Sequence, residues 1–462
     1  MSAVVEPAAR PARDRRLVPL AAGADARLLA FGGAGGAVPL GRFLRQVRAL
    51  AACLPEAGHA INLCEDRYRF LLAFCAAAVR GQATLLPPSR APEAVAGVAR
   101  RHPGAYCLGD ADAPAPGLHH WRLPEVLHEA DGGALQVDPR ALAVVGYTSG
   151  TTGEPVANAK PWAAFHTSTA QNITALRHLW AGAAQVHVVA TVPPQHMYGM
   201  ELSVLLPLLG DAAVHAGRPF FPRDIVRALA QAPVPRLLVT TPVHLRALLR
   251  GLDAEPSLAM PPLAGIVSAT APLPVELAEA AEARFACEVR EVFGSTETCV
   301  VASRRSAREP AWTPFPGVRL TPLDGGCRVE APQLTAPVAL ADLVDLHPDG
   351  RFELRGRNAD LLEIAGKRAS LGDLTRKLLA IPGVEDGVVF QLDEEDAAGV
   401  RRIAALAVAP GLGEAAILAS LRRSVDPVFL PRRLKRVATL PHNATGKLPR
   451  AALLALIGTP SA

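Results

Sequence analysis

The stretch Tyr147–Pro155, with the sequence YTSGTTGEP, is the feature around which the rest of the chain is organised. It follows a short apolar run, Leu142–Val145, which is typical of a buried strand. Glycine lets a ligand approach the backbone closely, and consecutive N–H groups in such a turn form a nest for an anion. We therefore interpret the stretch as a loop for phosphate or pyrophosphate, although a solvated linker has the same composition. The spacing of a Walker A loop is absent from it.

Length and composition narrow the class of protein. The chain has 462 residues, half of them hydrophobic, which favours roughly two to four structural units with a large buried core. The net charge of +5 is modest for this length and does not indicate a nucleic-acid partner. The seven cysteines are dispersed without a C-x-x-C pair, which favours free thiols over a zinc ribbon or a disulfide scaffold.

Neither a secretory signal nor a membrane span is predicted. Residues 1–16 are rich in Ala, Pro and Arg and lack an apolar central region, so we interpret them as a disordered start. Elsewhere the chain has no uninterrupted apolar window of about 18 residues. We therefore expect a cytoplasmic protein that does not act on a membrane.

Several predicted strands end in small, polar or aromatic residues. Helical and strand patterns alternate between positions 39 and 88, which is typical of a parallel, doubly wound sheet. Beyond the glycine loop, the predicted strands are 186–192, 236–240, 265–268 and 289–292. Because open α/β sheets hold ligands outside the carboxyl ends of their strands, this recurrence favours a binding site over a linker.

The pattern changes after Trp312. Short strands with Pro and Gly turns predict a small β-rich subdomain that extends to Leu354, and a boundary follows it. We therefore predict an α/β protein with a large N-terminal domain of doubly wound parallel sheets at 17–355 and a small α+β domain at 356–462, within the usual range of domain size.

The short motifs, taken together, resemble those of the adenylate-forming superfamily of acyl- and aryl-CoA synthetases, peptide-synthetase adenylation domains and luciferases. Tyr147–Pro155 is similar to the phosphate loop, and FGSTE at 293–297 is similar to the aromatic-Gly-x-Thr-Glu motif. The other matches are Asp342 at the ribose-binding position, Gly356–Arg357, the signature Gly366–Arg368 and the lysine loop PHNATGKLPR at 441–450. The motifs follow the family's order and cover most of the chain.

The resemblance narrows to bacterial enzymes that activate aromatic acids for aryl-polyene pigments of the xanthomonadin type. The runs TVPPQHMYGME at 191–201 and AGKRASL at 365–371 carry it. In that group the acid, typically 4-hydroxybenzoate or a relative, is adenylated and passed to an acyl carrier protein. The resemblance thus implies ATP and Mg²⁺ as cofactors. A free aryl-CoA ligase is the alternative, and a non-catalytic nucleotide-binding regulatory protein is a third, which the presence of Glu297 and Lys447 disfavours.

The resemblance also implies roles for single residues. Lys447 would reach the α-phosphate and the substrate carboxylate, Thr296 would donate to the α-phosphate, and Glu297 would hold Mg²⁺. Phe293 would stack on adenine unless it serves core packing, and Asp342 would accept the ribose hydroxyls. The residues assigned to ATP are Thr148, Ser149, Gly150, Thr151, Thr152, Gly153, Lys160, Ala269, Phe293, Gly294, Ser295, Asp342 and Arg357.

The acyl pocket is predicted at two of the strand ends. Its residues are Gln195, His196, Met197, Tyr198, Ser268, Thr270 and Ala271. The small side chains among them favour a flat ring over a long fatty acid. His196 is included with the catalytic residues, but a gating or shaping role is favoured over acid–base work because a carboxylic acid is already ionised near pH 7.

In the family the C-terminal domain alternates between two orientations by a hinge motion. One orientation would place Lys447 in the site, and the other would present the face around Gly366 and Arg368 for thioester formation. A basic stretch that includes Arg432 and Arg433 suits the phosphates of CoA or an acidic carrier-protein helix, although a solvated basic face would have the same composition.

Some positions depart from the family's pattern. Val156 stands where a lysine usually follows Pro155, so that either Lys160 takes over the phosphate contact or the loop relies on backbone donors. Ala359 and Glu363 stand where the family usually has a hinge Asp or Lys and a second Lys. These departures bear on the hinge and on the loop, and they leave the adenylation motifs intact.

Overall fold

A computed structural model describes residues 17–33, 35–111, 117–148, 155–357, 361–364, 367–395, 401–443 and 446–458. The predicted disordered start at 1–16 lies outside these residues. So do the loop positions Ser149, Gly150, Thr151, Thr152 and Gly153, the hinge position Ala359, and Gly366. For Arg357 and Arg368 the backbone alone is described.

The described part of the chain alternates strands and helices. The strands are β1 (Val18–Pro19), β2 (Leu28–Gly33), β3 (Gly36–Pro39), β4 (His59–Asn62), β5 (Ala83–Leu86), β6 (Tyr106–Gly109), β7 (His120–Arg122), β8 (Gln136–Val137), β9 (Leu142–Thr148), β10 (Val156–Pro161), β11 (Val186–Ala190), β12 (Ala212–His215), β13 (Arg236–Thr240), β14 (Gly265–Ser268), β15 (Glu288–Ser295), β16 (Cys299–Arg304), β17 (Thr313–Pro314), β18 (Arg319–Leu323), β19 (Gly326–Glu330), β20 (Val338–Leu340), β21 (Asp342–Leu346), β22 (Phe352–Arg357), β23 (Leu361–Ile364), β24 (Lys367–Ser370), β25 (Asp386–Glu395), β26 (Arg401–Val408) and β27 (Arg433–Arg436). The helices are α1 (Leu40–Cys53), α2 (Arg67–Val79), α3 (Pro92–Arg101), α4 (Trp162–Leu176), α5 (Met197–Met200), α6 (Leu206–Leu209), α7 (Pro222–Gln231), α8 (Pro242–Ala254), α9 (Val275–Phe285), α10 (Leu371–Leu379), α11 (Glu414–Leu421) and α12 (Arg450–Gly458).

Two large sheets confirm the predicted α/β class. The first has the order β10-β9-β5-β4-β6-β7, and all its pairs are parallel except β10 with β9. The second has the order β17-β16-β15-β14-β13-β11-β12-β2-β3, and it is parallel from β15 to β2. Parallel strands joined through helices produce the doubly wound arrangement, because each crossover covers one face of the sheet.

The larger sheet is buried on both faces. Val188 and Val239 pack into one hydrophobic cluster, and their neighbours Val189 and Leu238 pack into the other. The alternation follows from the two-residue period of a strand. Apolar residues at consecutive positions are therefore what a central parallel strand requires.

The predicted β-rich subdomain consists of the small sheet β18-β19-β20 and the hairpin β21-β22. Beyond it, β25, β26 and β27 form a three-stranded sheet with its own buried side chains. Leu378 of α10 packs on one face of this sheet with Ala405, and Leu453 of α12 packs on the other face with Leu406. The C-terminal region thus buries apolar side chains on both faces of its own sheet.

Candidate active site

The parallel strands β11, β13 and β14 end at one edge of the larger sheet. Thr240 lies beside Ser268 in the register, and Ala190 lies beside Val239. The residues that follow these strands, Thr191, Thr241 and Thr270, therefore lie at a common edge, as the sequence predicted. Thr191 Oγ1 lies 3.0 Å from Thr240 Oγ1, which joins two of the strand ends directly.

The turn after β15 meets the end of β9. Thr148 Oγ1 donates a hydrogen bond to Glu297 Oε1 across 3.3 Å. A Cβ atom at Gly146 would lie 2.9 Å from Thr296 Cγ2, so a larger residue at this position would collide with the turn. The structure thus brings the entrance of the predicted phosphate loop together with Thr296 and Glu297, although the two segments belong to different sheets.

Local hydrogen bonds shape the turn that carries Glu297. The backbone N–H of Ser295 donates to Thr298 Oγ1 across 3.1 Å, and the N–H of Thr298 donates to Ser295 Oγ across 3.2 Å. A Cβ atom at Gly294 would lie 2.2 Å from the carbonyl oxygen of Cys299, so only glycine fits there. These contacts hold Thr296 and Glu297 at the tip of the β15–β16 hairpin.

The donor set around Glu297 suits Mg²⁺ that arrives with a nucleotide. Within the described residues, no group of three or more His, Cys, Asp or Glu side chains is arranged to hold a metal ion. Mg²⁺ is commonly bound by one or two carboxylates together with substrate phosphates and waters. A single carboxylate, with one oxygen held by Thr148, fits that pattern and does not fit a dedicated metal cage.

Lys160 lies on β10, where its side chain is only 5 % exposed. Its Nζ donates to the backbone carbonyl of Glu297. The ammonium group is therefore engaged with the turn that carries the predicted metal ligand. This contact differs from both alternatives that the sequence left open, which concerned the phosphates.

The adenine and ribose positions lie on neighbouring elements. Phe293 is half-buried and makes a tilted contact with Trp312 and an edge contact with Phe352, at centroid distances of 5.6 and 5.7 Å. Ala269, also assigned to the nucleotide, is buried just beyond β14. Phe293 therefore takes part in core packing, which is the second of the two roles foreseen for it.

Asp342 and Arg357 are directly paired across the β21–β22 hairpin. The resemblance assigned both to the nucleotide from their separate motifs, and the register places them side by side. The adjoining Gly356 has φ of +121°, and a Cβ atom there would lie 2.3 Å from Ser370 Oγ. Glycine is therefore required where the chain passes from β22 towards α10.

His196 is half-buried and immediately precedes α5 as its N-cap residue. Its Nδ1 atom is buried and has no hydrogen-bond partner among the described residues. Burial and then the positive charge of Lys447 lower the pKa of His196 to about 4. The imidazole is thus neutral at physiological pH, which agrees with a shaping role and disfavours a general base that must ionise near neutrality.

The polar groups of two other predicted pocket residues are bound to the protein. The Tyr198 hydroxyl lies 2.8 Å from the carbonyl of Val267 and 3.1 Å from that of Thr240. Gln195 Nε2 donates to the carbonyl of Cys64 across 2.5 Å. Tyr198 therefore ties α5 to strands β13 and β14. The neighbouring Met197 is buried, and its Cε is 3.6 Å from the Cβ position of Gly146.

Ser268 and Thr270 offer hydroxyl groups to the site. Within the described part of the chain, both Oγ atoms are buried without a hydrogen-bond partner. Thr270 has φ of +81°, which is unusual for a β-branched residue. Backbone strain of this kind concentrates at ligand sites. With the half-buried Ala271, these residues form a small-residue wall.

The C-terminal lysine loop lies against the same strand ends. A Cβ atom at Gly446, whose φ is +78°, would be 3.6 Å from the hydroxyl oxygens of Thr241 and Thr270. Asn443 closes the loop, because its Oδ1 accepts from the N–H of Lys447 across 2.9 Å and its own N–H donates to the Lys447 carbonyl across 2.8 Å. Lys447 itself is exposed. The structure therefore brings this loop to the predicted acyl pocket.

The sequence did not predict the residues that hold the loop in place. His442 Nε2 lies 2.7 Å from Asp386 Oδ2, and Arg246 Nη1 lies 3.6 Å from Asp386 Oδ1. A second ion pair joins Arg250 to Glu385 at 3.1 Å. Helix α8 thereby contacts the C-terminal region near the loop. No motif marks these residues, because they meet only in the folded chain.

Buried charged residues also escaped the sequence analysis. Arg67 is fully buried and donates to the carbonyls of Ala190 and Val192, across 2.9 and 2.7 Å, where β11 ends. Glu201 is fully buried in a π-helical turn between α5 and α6. The available signal for Glu201 was its position as the acidic first residue of the otherwise mainly apolar run ELSVLLPLL.

The predicted thioester face is described only in part. Arg432 and Arg433 are exposed at the start of β27. The backbone of Arg368 belongs to the hairpin of β23 and β24. No helix in the part of the chain that the structure covers has the length and hydropathy needed to cross a bilayer.

Comparison with known proteins identifies relatives over most of the chain. The sequence profile described as "AMP-binding enzyme" matches residues 42–330. A 4-coumarate–CoA ligase of Rhodobacter capsulatus is 31% identical over 336 residues, which are 72% of this chain and 80% of the relative. A 3-hydroxybenzoate–CoA/4-hydroxybenzoate–CoA ligase of Thauera aromatica is 26% identical over 406 residues, with 77% and 74% covered.

Solved structures show the same fold. An anthranilate CoA ligase in complex with anthranoyl-AMP superposes with a TM-score of 0.78 at 16% identity and covers 94% of each chain. The o-succinylbenzoate CoA synthetase of Bacillus subtilis, in complex with its acyl-adenylate, superposes with a TM-score of 0.76 at 18% identity over 92% of this chain and 95% of its own.

Proposed function

The chain belongs to the AMP-binding enzyme family of acid–thiol ligases, and on that premise we propose that it adenylates an aromatic acid related to 4-hydroxybenzoate and loads it onto an acyl carrier protein. In the first half-reaction, the carboxylate attacks the α-phosphorus of ATP, giving acyl-AMP and pyrophosphate. In the second, the phosphopantetheine thiol attacks the acyl carbon and AMP leaves. The xanthomonadin-type resemblance supports the carrier protein as acceptor.

The observation that carries the proposal is the meeting of the lysine loop with the strand ends. A Cβ atom at Gly446 would lie 3.6 Å from the hydroxyl oxygens of Thr241 and Thr270, and the charge of Lys447 acts on His196. The first half-reaction brings two anions together, so a positioned cation lowers its barrier. We assign that cation to Lys447, which would bridge the α-phosphate and the carboxylate.

The nucleotide would extend from the lysine loop towards β21. Thr296 would donate to the α-phosphate, and Glu297 would hold Mg²⁺ bound to the phosphates, supplying charge neutralisation there. The adjacent pair Asp342 and Arg357 would hold the ribose. The loop of Thr148 to Gly153 would face the pyrophosphate, because Thr148 already contacts Glu297.

The chemistry of the pocket wall supports a polar aromatic acid. The small residues Ser268, Ala269 and Ala271 leave space for a flat ring, and the hydroxyls of Ser268 and Thr270 are able to bind a ring substituent. The relatives named as 4-coumarate–CoA and hydroxybenzoate–CoA ligases support the same class of acid. We therefore propose a hydroxylated benzoate as the first acid to test.

A free CoA ligase is the second candidate, favoured by the relatives' names. Both acceptors carry acidic groups that the exposed Arg432 and Arg433 would attract. In either case we propose that residues 356–462 form a mobile domain. Its second orientation would remove Lys447 and bring the Gly366–Arg368 face to the adenylate.

ATP–pyrophosphate exchange tests the first half-reaction directly. We expect exchange that depends on the acid, strongest with hydroxybenzoates in a panel that also contains cinnamates and short fatty acids. Retention of AMP binding without exchange for any acid would instead support a non-catalytic nucleotide-binding protein. Where exchange occurs, thioester formation on CoA and on a phosphopantetheinylated carrier protein, measured in parallel, distinguishes the two acceptors.

A further inference from the structure

We propose that Lys160 is a positioning residue whose ammonium group holds the turn that carries Glu297. The loop itself has Val156 at the position where the family usually has a lysine that contacts phosphate. The inference rests on the proposed role of Glu297 in ATP-dependent adenylation. It gives Lys160 a role that neither alternative from the sequence foresaw, because the structure gives its ammonium group a partner within the protein.

The contacts hold Glu297 at two points. Lys160 Nζ donates to the Glu297 backbone carbonyl, and Thr148 Oγ1 donates to the Glu297 carboxylate. Both donors belong to one antiparallel pair, since β10 runs beside β9 with Val156 opposite Thr148 and Lys160 opposite Val144. The edge of the six-stranded sheet therefore sets both the backbone position and the side-chain direction of the predicted metal ligand.

A second buried ionisable residue, Glu201, holds the hairpin just beyond its tip. Glu201 Oε1 accepts from the backbone N–H of Val300 across 2.9 Å, and its Oε2 accepts from Asn172 Nδ2 across 3.0 Å. Burial raises the pKa of Glu201 to about 7, while the hydrogen bonds and the charge of Lys160 act in the opposite direction. Lys160 at Glu297 and Glu201 at Val300 thus contact the hairpin at its tip and just beyond it.

Burial argues against a direct phosphate contact by Lys160. The side chain of Val156 is 51% exposed, whereas that of Lys160 is 5% exposed. To reach a phosphate, the ammonium group would have to abandon the Glu297 carbonyl and leave that acceptor without its donor, which is costly in a buried setting. The positive charge of Lys160 therefore lies inside the protein, next to the turn that carries Glu297.

The test measures metal dependence in Lys160→Met, which keeps an unbranched apolar side chain of similar size and removes the donor. Residues that orient a metal ligand typically alter metal affinity or activity by about 10–100-fold when removed. We expect about a 10-fold rise in the Mg²⁺ concentration for half-maximal exchange, a lower kcat and an unchanged KM for the acid. Lys160→Arg, which keeps a charged donor, should restore most of the Mg²⁺ affinity.

A second substitution separates positioning from phosphate binding. In Lys160→Met, the added change Val156→Lys places a lysine where the family usually has one. If Lys160 contacts phosphate, Val156→Lys should restore the Mg²⁺ dependence, and that result would overturn the inference. If Lys160 positions Glu297, the double variant should behave as Lys160→Met alone.

Two controls guard against a general loss of structure. Arg27 is another partly buried cation that donates to backbone carbonyls, those of Ala22, Pro207 and Ala212. Arg27→Met should lower the melting temperature without moving the Mg²⁺ dependence. If Lys160→Met does not fold, the double variant Lys160→Met/Glu201→Gln replaces it in every measurement. The second change removes the carboxylate of Glu201, which would otherwise be buried without the compensating charge of Lys160.

A metal-binding measurement tests the inference independently of the proposed function. Mn²⁺ affinity of the enzyme with a non-hydrolysable ATP analogue, followed by electron paramagnetic resonance, requires no acid and no turnover. Weaker Mn²⁺ binding in Lys160→Met than in wild type, Lys160→Arg and Arg27→Met supports the inference even if no acid gives exchange. Equal Mn²⁺ binding in all of them overturns it, whatever the exchange assay shows.

Discussion

At the scale of single residues, the motifs name candidate site residues but do not predict which atoms these residues contact. The sequence placed Asp342 and Arg357 in one site, and the β21–β22 register sets them opposite each other. The sequence did not predict the hydrogen bonds of Tyr198 and Lys160, whose polar atoms bind backbone carbonyls of a strand and of a turn far away in the chain. Such bonds depend on tertiary position, which side-chain type alone does not encode.

Lys447 provides the first prediction. Its side chain is exposed and its loop is closed through backbone and Asn443 contacts, so Lys447→Ala should leave the melting temperature unchanged. ATP–pyrophosphate exchange should fall by about 10²–10³ or more, as when a preorganised charge-stabilising group is removed. Lys377→Ala, at another partly exposed lysine that pairs with Asp373, is the control. Full exchange in Lys447→Ala would remove the central assignment.

His196 provides a prediction about stability and pH. Its pKa in the folded protein, about 4, is lower than the ordinary value of 6.5, since burial and Lys447 oppose the charged form. A lowered pKa means that protons bind better to the unfolded chain. The stabilisation is therefore complete above about pH 6.5 and is lost as the pH falls from there towards 4.

We expect His196→Gln to lose less unfolding free energy than wild type when the pH is lowered from 7 to 5. Urea denaturation at the two pH values gives the comparison. The exposed His128→Gln should lose as much as wild type. A His196 variant with the wild-type loss would show that the imidazole is accessible to protons in the folded state.

At the scale of elements, the strands that could be predicted are those with a run of consecutive apolar residues. Strands β13 and β14 match the predicted bounds because central parallel strands are runs of apolar residues. Strand β10 was missed, since its sequence VANAKP mixes polar residues with a proline. It lies at the edge of its sheet, where a proline such as Pro161 is tolerated. Because β10 was not predicted, the contact of Lys160 with Glu297 could not be predicted either.

The β15–β16 hairpin provides the next prediction. A Cβ atom at Gly294 would lie 2.2 Å from the Cys299 carbonyl, a backbone atom that cannot rotate away. Gly294→Ala should therefore displace the turn that carries Thr296 and Glu297, lowering both the melting temperature and the exchange rate. In Gly58→Ala, where the added methyl group meets no atom within 4 Å, both should stay close to wild type. An active Gly294→Ala enzyme would indicate that the turn is not part of the site.

At the scale of the whole molecule, the site depends on contacts that the order of motifs does not reveal. Helix α8 contributes Arg246 and Arg250, which pair with Asp386 and Glu385 of the C-terminal region. The motifs predicted that Lys447 enters the site, but none of them indicated what holds it there. Asp386 also contacts His442, so one carboxylate connects α8 to the loop of Lys447.

Arg246 therefore provides a prediction that separates the two half-reactions. Burial lowers the pKa of Arg246 and the Asp386 charge raises it, so the guanidinium depends on its partner for stabilisation. Removing the guanidinium in Arg246→Met weakens only the orientation in which Lys447 faces the strand ends, because a change in one state alone shifts the equilibrium towards the other. Exchange should fall several-fold, while thioester formation from preformed acyl-adenylate should be unchanged or faster.

Arg250→Met is the matched control for Arg246. The Arg250–Glu385 pair is about half exposed, with 50% and 39% of the two side chains accessible, and exposed pairs contribute only about 0–1 kcal/mol. Its removal should have a smaller effect on exchange than the removal of Arg246, whose side chain is 19% exposed. Equal losses in both half-reactions for Arg246→Met would mean that the ion pair supports the fold in general. A loss confined to exchange would assign the pair to the adenylating orientation.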